Sequence, residues 1–160
     1  MNLDKHTSVI YRNYNSKIST KQILKIFKIC KRRNIKFYLS NNLKLAVKCK
    51  LDGLYIPSFN KKLYTRGLNL KKDFQILGSA HNISEIRQKE IQGVKKIFIS
   101  SIFKKNQNFL GLYRFSSLKN RTNKDVVALG GINSKNLSYL KLIKIKSFAG
   151  ISFFQKKTPQ

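Results

Sequence analysis

Short runs of β-branched and aromatic residues alternate along the chain with stretches whose apolar residues recur every three or four positions. The first pattern predicts β-strands and the second predicts amphipathic helices. Seven strands are predicted, over Ser8–Tyr14, Ile35–Leu39, Leu54–Pro57, Phe74–Ser79, Lys96–Ser101, Val126–Leu129 and Ala149–Phe154. Strands that alternate with helices in this way indicate βαβ units and a parallel sheet.

Local signals at helix ends support this order. Ser19–Gln22 reads Ser-Thr-Lys-Gln, a capping box that predicts a helix ending near Asn34. A short helix is predicted over Asn42–Lys50. Asn82 is predicted to cap another helix, with a glutamate three residues on, and Gly93 to end it in the left-handed conformation. The helices therefore fall between the predicted strands, as a parallel sheet requires.

The number of strands predicts the fold class, a parallel barrel, and indicates that the barrel is shorter than usual. No linker rich in Pro, Gly or Ser interrupts the pattern, so one domain is expected over residues 1–160. A parallel (βα) barrel of the TIM type closes with eight strands. We therefore expect an α/β barrel shortened to about seven strands, without the first βα unit and the last helix. The two exposed edges that such a gap leaves favour a homodimer.

Charge adds a possible class of partner. The chain carries 34 Lys and Arg residues against six Asp and Glu, a net charge of +28. Such a surplus attracts polyanions, so non-specific binding to them is expected. Compositional bias toward lysine on solvated helix faces explains the same numbers. No aromatic RNA-binding motif, helix-turn-helix pattern or zinc-finger spacing accompanies the charge, so a dedicated nucleic-acid function is the weaker interpretation.

Apolar runs, the first residues and the cysteines indicate the cellular compartment. No apolar run approaches the length of a membrane span, and residues 1–6 are polar rather than typical of a secretory signal. Cys30 and Cys49 lie at apolar helical positions without partners at metal-ligand spacing. Buried thiols in a reducing compartment are the expected state, and a cytoplasmic location without a membrane partner is predicted.

In parallel α/β folds the site is formed by residues that follow the strands. The residues at these positions are Arg12, Tyr14, Ser40, Asn41, Ser58, Asn60, Ser79, His81, Ser100 to Lys105, Gly130 to Asn133, and Ser152 to Gln155. None of them is acidic, because Asp4, Asp52, Asp73, Glu85, Glu90 and Asp125 lie before strands, within a helix or in the leader. A carboxylate pair for general acid–base work or for Mg²⁺ is therefore not expected at this rim.

The remaining residues suit an anion. Gly130 and Gly131 offer backbone N–H groups that open toward a predicted helix start, and Arg12, Lys104 and Lys105 add positive charge. A tight turn that needs positive φ explains the two glycines as well. His81 stands beside a helix cap, where a structural hydrogen bond is favoured over a catalytic base.

Four stretches together carry a resemblance to a known family. They are Ile10–Arg12; Phe37–Ala46 continuing to Asp52–Ile56; Ile76–His81 with Glu85, Gly93 and Ser100–Phe103; and Val126–Asn133 with Asn136 and Gly150. Their order and spacing resemble the thiamine-phosphate synthases and the related TenI thiazole tautomerases over nearly the whole chain. The resemblance implies a (βα)₈ barrel whose second strand matches the first strand here. It also implies a transferase of thiamine biosynthesis that joins a pyrimidine pyrophosphate to a thiazole phosphate with Mg²⁺.

The resemblance assigns roles residue by residue. It makes Arg12 and Ser79 contacts of the pyrophosphate, and Gly130 and Gly131 part of the cradle for the thiazole phosphate. Catalytic residues stay unassigned, with Arg12, Ser79, Lys104 and Lys105 as candidates.

The chain also departs from the family pattern. The two aspartates that hold Mg²⁺ in the family align with Asn41 and Asn60, so the cofactor is doubtful here. Gln155 aligns with a phosphate-holding serine, and Ser101 aligns with the histidine of the tautomerase branch. Three hypotheses remain: a synthase or tautomerase relative degenerate at its metal positions, a non-catalytic phosphate-binding or regulatory relative, and a basic nucleic-acid-associated protein.

Overall fold

The computed structural model describes residues 6–14, 19–64 and 70–154. Strands and helices follow in the order β1 (Ser8–Tyr11), α1 (Thr20–Arg32), β2 (Lys36–Ser40), α2 (Leu43–Lys48), β3 (Gly53–Ile56), β4 (Gln75–Ala80), α3 (Ile83–Ile91), β5 (Lys96–Ser100), α4 (Gly111–Lys119), β6 (Asp125–Leu129), α5 (Leu137–Leu142) and β7 (Ser147–Ala149).

The seven strands form one sheet in which every neighbouring pair is parallel and the spatial order equals the chain order. β1 pairs only with β2 and β7 only with β6 among the described residues, so the sheet is curled but not closed. The prediction of a seven-stranded, open TIM-type barrel is confirmed. None of the helices in the described ranges has the length and apolar character needed to cross a bilayer.

Side-chain alternation along the strands separates the inside of the barrel from its helical layer. Tyr38, Tyr55, Leu77, Phe98 and Val127 point to the concave side and pack together there. The residues between them point outward because successive side chains in a strand face opposite sides. Those outward residues form the two clusters that hold the helices to the sheet.

The predicted helix ends are found where side chains can satisfy the first backbone N–H groups. Ser19 accepts a hydrogen bond from the Gln22 N–H, and Asn42 accepts one from the Leu45 N–H. Gly93 follows α3 with a φ of 69°, the left-handed conformation predicted for it. These elements form from local sequence, as the capping pattern indicated.

The predicted position of the seventh strand is wrong. β7 comprises Ser147–Ala149, and residues 151–154 form a turn closed by a hydrogen bond from the Phe154 N–H to the Ile151 carbonyl. The ring centroids of Phe148 and Phe153 lie 4.8 Å apart, and those of Phe153 and Phe154 lie 5.2 Å apart. An aromatic turn cluster therefore produced the apolar run that indicated a strand.

Candidate functional site

Arg12 lies beside the ring of Tyr14 where β1 ends. The Arg12 guanidinium lies 5.4 Å from the centroid of the Tyr14 ring, within the range of a cation–π contact. The Tyr14 hydroxyl is hydrogen-bonded to the Ser40 hydroxyl at 2.7 Å, and the Tyr14 ring meets Phe59 edge to face at 5.7 Å. These contacts join the ends of β1, β2 and β3 at one rim.

Tyr55 lies inside the barrel, where it is hydrogen-bonded to Ser79. This side chain is only 2% exposed. Burial raises the pKa of its phenol, while the hydrogen bond with Ser79 and the charge of Arg12 act in the opposite direction. Ser79, predicted to bind the pyrophosphate, therefore lies next to a buried hydroxyl, whereas the Arg12 side chain is exposed. Tyr55 was not predicted as a site residue, although its inward position in β3 follows from the alternation of that strand.

Asn41 and Asn60, the two amides predicted to stand at metal positions, are joined by a hydrogen bond. The Asn60 side-chain N–H donates to the Asn41 side-chain oxygen. The same Asn60 nitrogen also donates to the Tyr64 hydroxyl at 2.7 Å, and the Asn60 side-chain oxygen accepts from the Lys62 N–H at 2.8 Å. Both amide oxygens that a cation would use thus already accept an N–H. This donor set fits Mg²⁺ poorly, because it lacks the carboxylate charge that Mg²⁺ sites use.

The structure has no group of three or more His, Cys, Asp or Glu side chains placed to hold a metal within residues 6–14, 19–64 and 70–154. Asp52 is engaged below the rim, where it accepts a hydrogen bond from the Phe37 N–H at 2.9 Å.

Glu85 lies closer to the rim than its place in a helix suggested. Its carboxylate accepts from the His81 N–H at 2.7 Å, directly after β4. The same oxygen lies 2.9 Å from the His81 Nδ1. The histidine and the glutamate therefore hold the start of α3 together, in agreement with the structural role favoured for His81.

A buried lysine supports the Asn60 loop from below. Lys89, on α3, is 0% exposed, and its ammonium donates to the Asn60 carbonyl and to the Gln92 side-chain oxygen, each at 2.8 Å. Gln92 donates in turn to the Asn60 carbonyl at 2.9 Å and to the Lys62 carbonyl at 2.8 Å. The loop that carries Asn60 is therefore tied to α3 by two side chains with no rim role of their own. Neither was predicted from the sequence, because Lys and Gln side chains on a helix ordinarily indicate a solvated face.

This buried ammonium predicts a pH effect on stability. Burial lowers the pKa of Lys89 from 10.5 to about 8. Between these two values the unfolded chain binds a proton that the folded chain does not, so the Lys89 contribution to the free energy of unfolding rises with pH. Relative to Lys89→Met, the wild type is expected to gain about 2 kcal/mol between pH 7.5 and pH 10. Urea unfolding at both pH values measures the gain, and Lys95→Met, at an exposed lysine, is the control. Parallel pH profiles for the wild type and Lys89→Met would contradict the prediction.

Gly130 and Gly131 follow β6 with φ values of 106° and 76°, which only glycine adopts readily. The Gly130 carbonyl accepts from the Phe103 N–H at 2.9 Å and the Lys104 N–H at 3.2 Å. Within the part of the chain that the structure describes, neither glycine N–H donates a hydrogen bond. The turn thus has the positive φ that a tight turn needs and also the free N–H groups that an anion cradle needs.

The surroundings of the glycine pair correct one expectation. α5 begins only at Leu137, so Gly130 and Gly131 do not open directly into a helix start. Instead, the Asn136 side chain donates to the Gly131 carbonyl at 2.9 Å and closes the intervening loop. The helix dipole therefore contributes little here, since its effect is confined to the first turn.

Lys104 and Lys105 lie beside this turn on the loop after β5, and both are exposed. The Ser101 hydroxyl donates to the Lys104 carbonyl at 2.9 Å and holds the loop in place. Lys104 is thus adjacent to the glycine pair, whereas Ser79 is hydrogen-bonded to Tyr55 inside the barrel. Of the predicted rim residues 152–155, Ser152 falls in the turn after Gly150, and Gln155 lies outside the described residues.

Comparisons with known proteins agree with this architecture. The family model described as thiamine monophosphate synthase matches residues 3–154. A thiamine-phosphate synthase from Prochlorococcus marinus subsp. pastoris is 30% identical over 146 residues, covering 89% of this chain and 42% of that protein. A thiamine-phosphate synthase from Fusobacterium nucleatum is 27% identical over 145 residues, covering 88% of this chain and 70% of that protein. The chain therefore spans less than half of the first of these relatives.

A solved structure shows the same fold. Thiamine phosphate pyrophosphorylase from Pyrococcus furiosus superimposes with a TM-score of 0.75 at 19% identity, covering 91% of this chain and 73% of that one. At this identity the similarity establishes the arrangement of strands and helices.

Proposed function

This chain belongs to the thiamine monophosphate synthase family, and on that premise we propose that it binds phosphorylated thiamine precursors at the carboxyl ends of its strands. The thiazole phosphate occupies the turn at Gly130 and Gly131. The pyrophosphate of the pyrimidine substrate faces Arg12 and Ser79. The observation that carries the proposal is the pair of glycine N–H groups without an acceptor in the described residues, next to the exposed Lys104.

The proposal includes weak or absent Mg²⁺-dependent synthase activity. Pyrophosphate leaves as a highly charged anion, and a metal ion held by carboxylates disperses that charge in the family. Asn41 and Asn60 are neutral and already hydrogen-bonded, so the residues present do not fit Mg²⁺. Arg12 and Ser79 bind the pyrophosphate directly instead. A non-catalytic, ligand-binding role is the second candidate, and the same amide pair favours it.

Calorimetric titration at low salt tests the binding proposal. The wild type is expected to bind thiazole phosphate and inorganic pyrophosphate. Arg12→Gln is expected to lower the affinity for pyrophosphate by roughly tenfold or more, because a charge-assisted contact to the anion is lost. Arg114→Gln, an equal charge change on α4, is the control and should leave both affinities unchanged. Wild-type pyrophosphate affinity in Arg12→Gln would remove this residue from the site, and no binding of either ligand would refute the proposal.

Two proposals concern partners. A homodimer is proposed across the open edges of β1 and β7, because unpaired strand edges favour association. Light scattering across a concentration series measures the mass. Non-specific polyanion binding is proposed from the net charge of +28.

A further inference from the structure

Helix α1 carries basic residues in a single row. Lys21, Lys25, Lys28 and Arg32 are spaced by four, three and four positions, which places them on one face of an α-helix. All four are exposed. α1 contains no acidic residue, so nothing on the helix neutralises the row.

The opposite face of α1 fixes the orientation of this row. Ile23 is 0% exposed and Cys30 is 5% exposed, and both pack in the cluster that joins α1 to β2. Phe27 packs against Phe37 with ring centroids 6.1 Å apart. The apolar side is therefore occupied by the protein itself, and the basic row points outward from a rigid support.

α1 presents the longest run of basic positions in one described helix. It has five basic residues over its 13 residues, whereas each other helix in the described ranges is shorter and has at most two. α3 in addition contains Glu85 and Glu90. α1 therefore offers the most extended basic face among the helices that the structure describes.

We infer that the exposed face of α1 docks on the sugar–phosphate backbone of duplex nucleic acid; this rests on the polyanion binding proposed above and gives it a surface and a partner. The row spans about 16 Å along the helix axis at 1.5 Å per residue. A duplex carries one negative charge per about 1.7 Å of its axis, so several phosphates lie within reach of four cations.

The side chains of α1 favour a duplex over other polyanions. Its single aromatic residue, Phe27, is packed against the sheet, so the helix offers no platform on which single-stranded bases could stack. Only Leu24 and Ile29 are exposed large apolar residues on α1. Binding in the plane of a bilayer uses a whole apolar helix face, which is buried here.

Two variants with equal charge changes test the inference. The α1 variant carries Lys21→Gln, Lys25→Gln, Lys28→Gln and Arg32→Gln. The control variant carries Lys72→Gln, Lys95→Gln, Lys141→Gln and Lys146→Gln, all at exposed positions outside α1. Fluorescence anisotropy measures the affinity of each protein for a labelled DNA duplex of about two helical turns over a salt series. Thermal unfolding first verifies that both variants are folded.

The salt dependence separates local contact from overall charge. Each phosphate contact contributes about 0.9 to the slope of log affinity against log salt. With one phosphate contact for each of its four cations, the α1 variant is expected to lose about 3.6 units of slope, and the control variant less than about 1. Equal losses in both variants would show that net charge alone drives binding and would overturn the role of α1.

Further outcomes separate this inference from the proposals on which it rests. A wild type that does not bind the duplex overturns both polyanion binding and the α1 surface. Tighter α1-dependent binding to oligo(dT) or to vesicles containing phosphatidylserine overturns the choice of a duplex. Unchanged affinity of the α1 variant for inorganic pyrophosphate is expected, because its four side chains lie on the exposed face of α1, opposite the face that packs on the sheet. Loss of that affinity would contradict the separation of the two sites.

Discussion

The double variant Asn41→Asp, Asn60→Asp is expected to become strongly dependent on Mg²⁺ for its stability. The two side chains already meet within hydrogen-bonding distance. Two carboxylates at that separation repel each other, and one must take up a proton or share a cation. Without a divalent ion the variant should lose about 1–3 kcal/mol in the free energy of unfolding, since the amide hydrogen bonds are also lost.

Mg²⁺ should reverse that loss. Hard oxygen ligands with negative charge are the ligands that Mg²⁺ prefers, and an ion at 100 times its dissociation constant stabilises the fold by about 2.7 kcal/mol. The effect is measured as the difference in melting temperature with and without MgCl₂ at about 10 mM, a concentration that suits a weak engineered site. Asn120→Asp with Asn123→Asp adds the same charge at exposed positions and should show no such dependence.

The wild-type chain is expected to show the opposite behaviour toward Mg²⁺. Asn41 and Asn60 give it no carboxylate for the ion, so the wild type should show no Mg²⁺-dependent stabilisation. Robust Mg²⁺-dependent formation of thiamine phosphate by the wild type would contradict the interpretation of the amide pair. A double variant that ignores Mg²⁺ would show that the two side chains do not converge on a cation site.

Replacing Gly131 with alanine is expected to damage both the fold and the anion site. A Cβ at this position would lie 2.6 Å from the Lys104 backbone nitrogen, and the φ of 76° disfavours any side chain. The left-handed conformation costs about 1–2 kcal/mol and the forced displacement of the loop about 1–3 kcal/mol more. Urea unfolding measures the loss.

Phosphate binding provides the second measurement for Gly131→Ala. Displacing the loop after β5 moves Lys104 and re-aims the two glycine N–H groups, so affinity for thiazole phosphate should fall by about tenfold or more, the cost of one charge-assisted hydrogen bond. Gly150→Ala is the matched control, because its Cβ would meet Phe153 at an ordinary 3.5 Å. Wild-type affinity in a folded Gly131→Ala would exclude this turn as the phosphate cradle.

The elements of the fold could be predicted wherever local patterns determine them. Ser19, Asn42 and Asn82 cap helices because their side chains satisfy nearby N–H groups, which depends only on neighbours in the chain. β2 to β6 were recognised from β-branched and aromatic runs whose alternation matches one inner and one outer face. β7 was misplaced because the apolar residues after Gly150 pack on one another in a turn, and a run of that length has no periodicity that distinguishes the two states.

Part of the candidate site could likewise be predicted from the sequence, and part could not. The sequence was sufficient to place Arg12, Ser79, Gly130 and Gly131 at strand exits, since a parallel sheet collects those positions at one edge. It could not indicate that Tyr55 of β3 is hydrogen-bonded to Ser79 of β4, because that contact depends on how the inward side chains of neighbouring strands pack.

By itself the sequence determined the parallel strand order and the helix caps, and it predicted amides at two metal positions. Those features depend on residue type and on spacing along the chain. Only the tertiary structure decided that Asn60 donates to Asn41, that Lys89 is buried beneath the Asn60 loop, and that α5 begins too late to serve the glycine turn. The first two depend on contacts between segments far apart in the chain, which are set by the packing of helices on a curved sheet. The third depends on the loop after β6, which the Asn136 side chain closes on the Gly131 carbonyl.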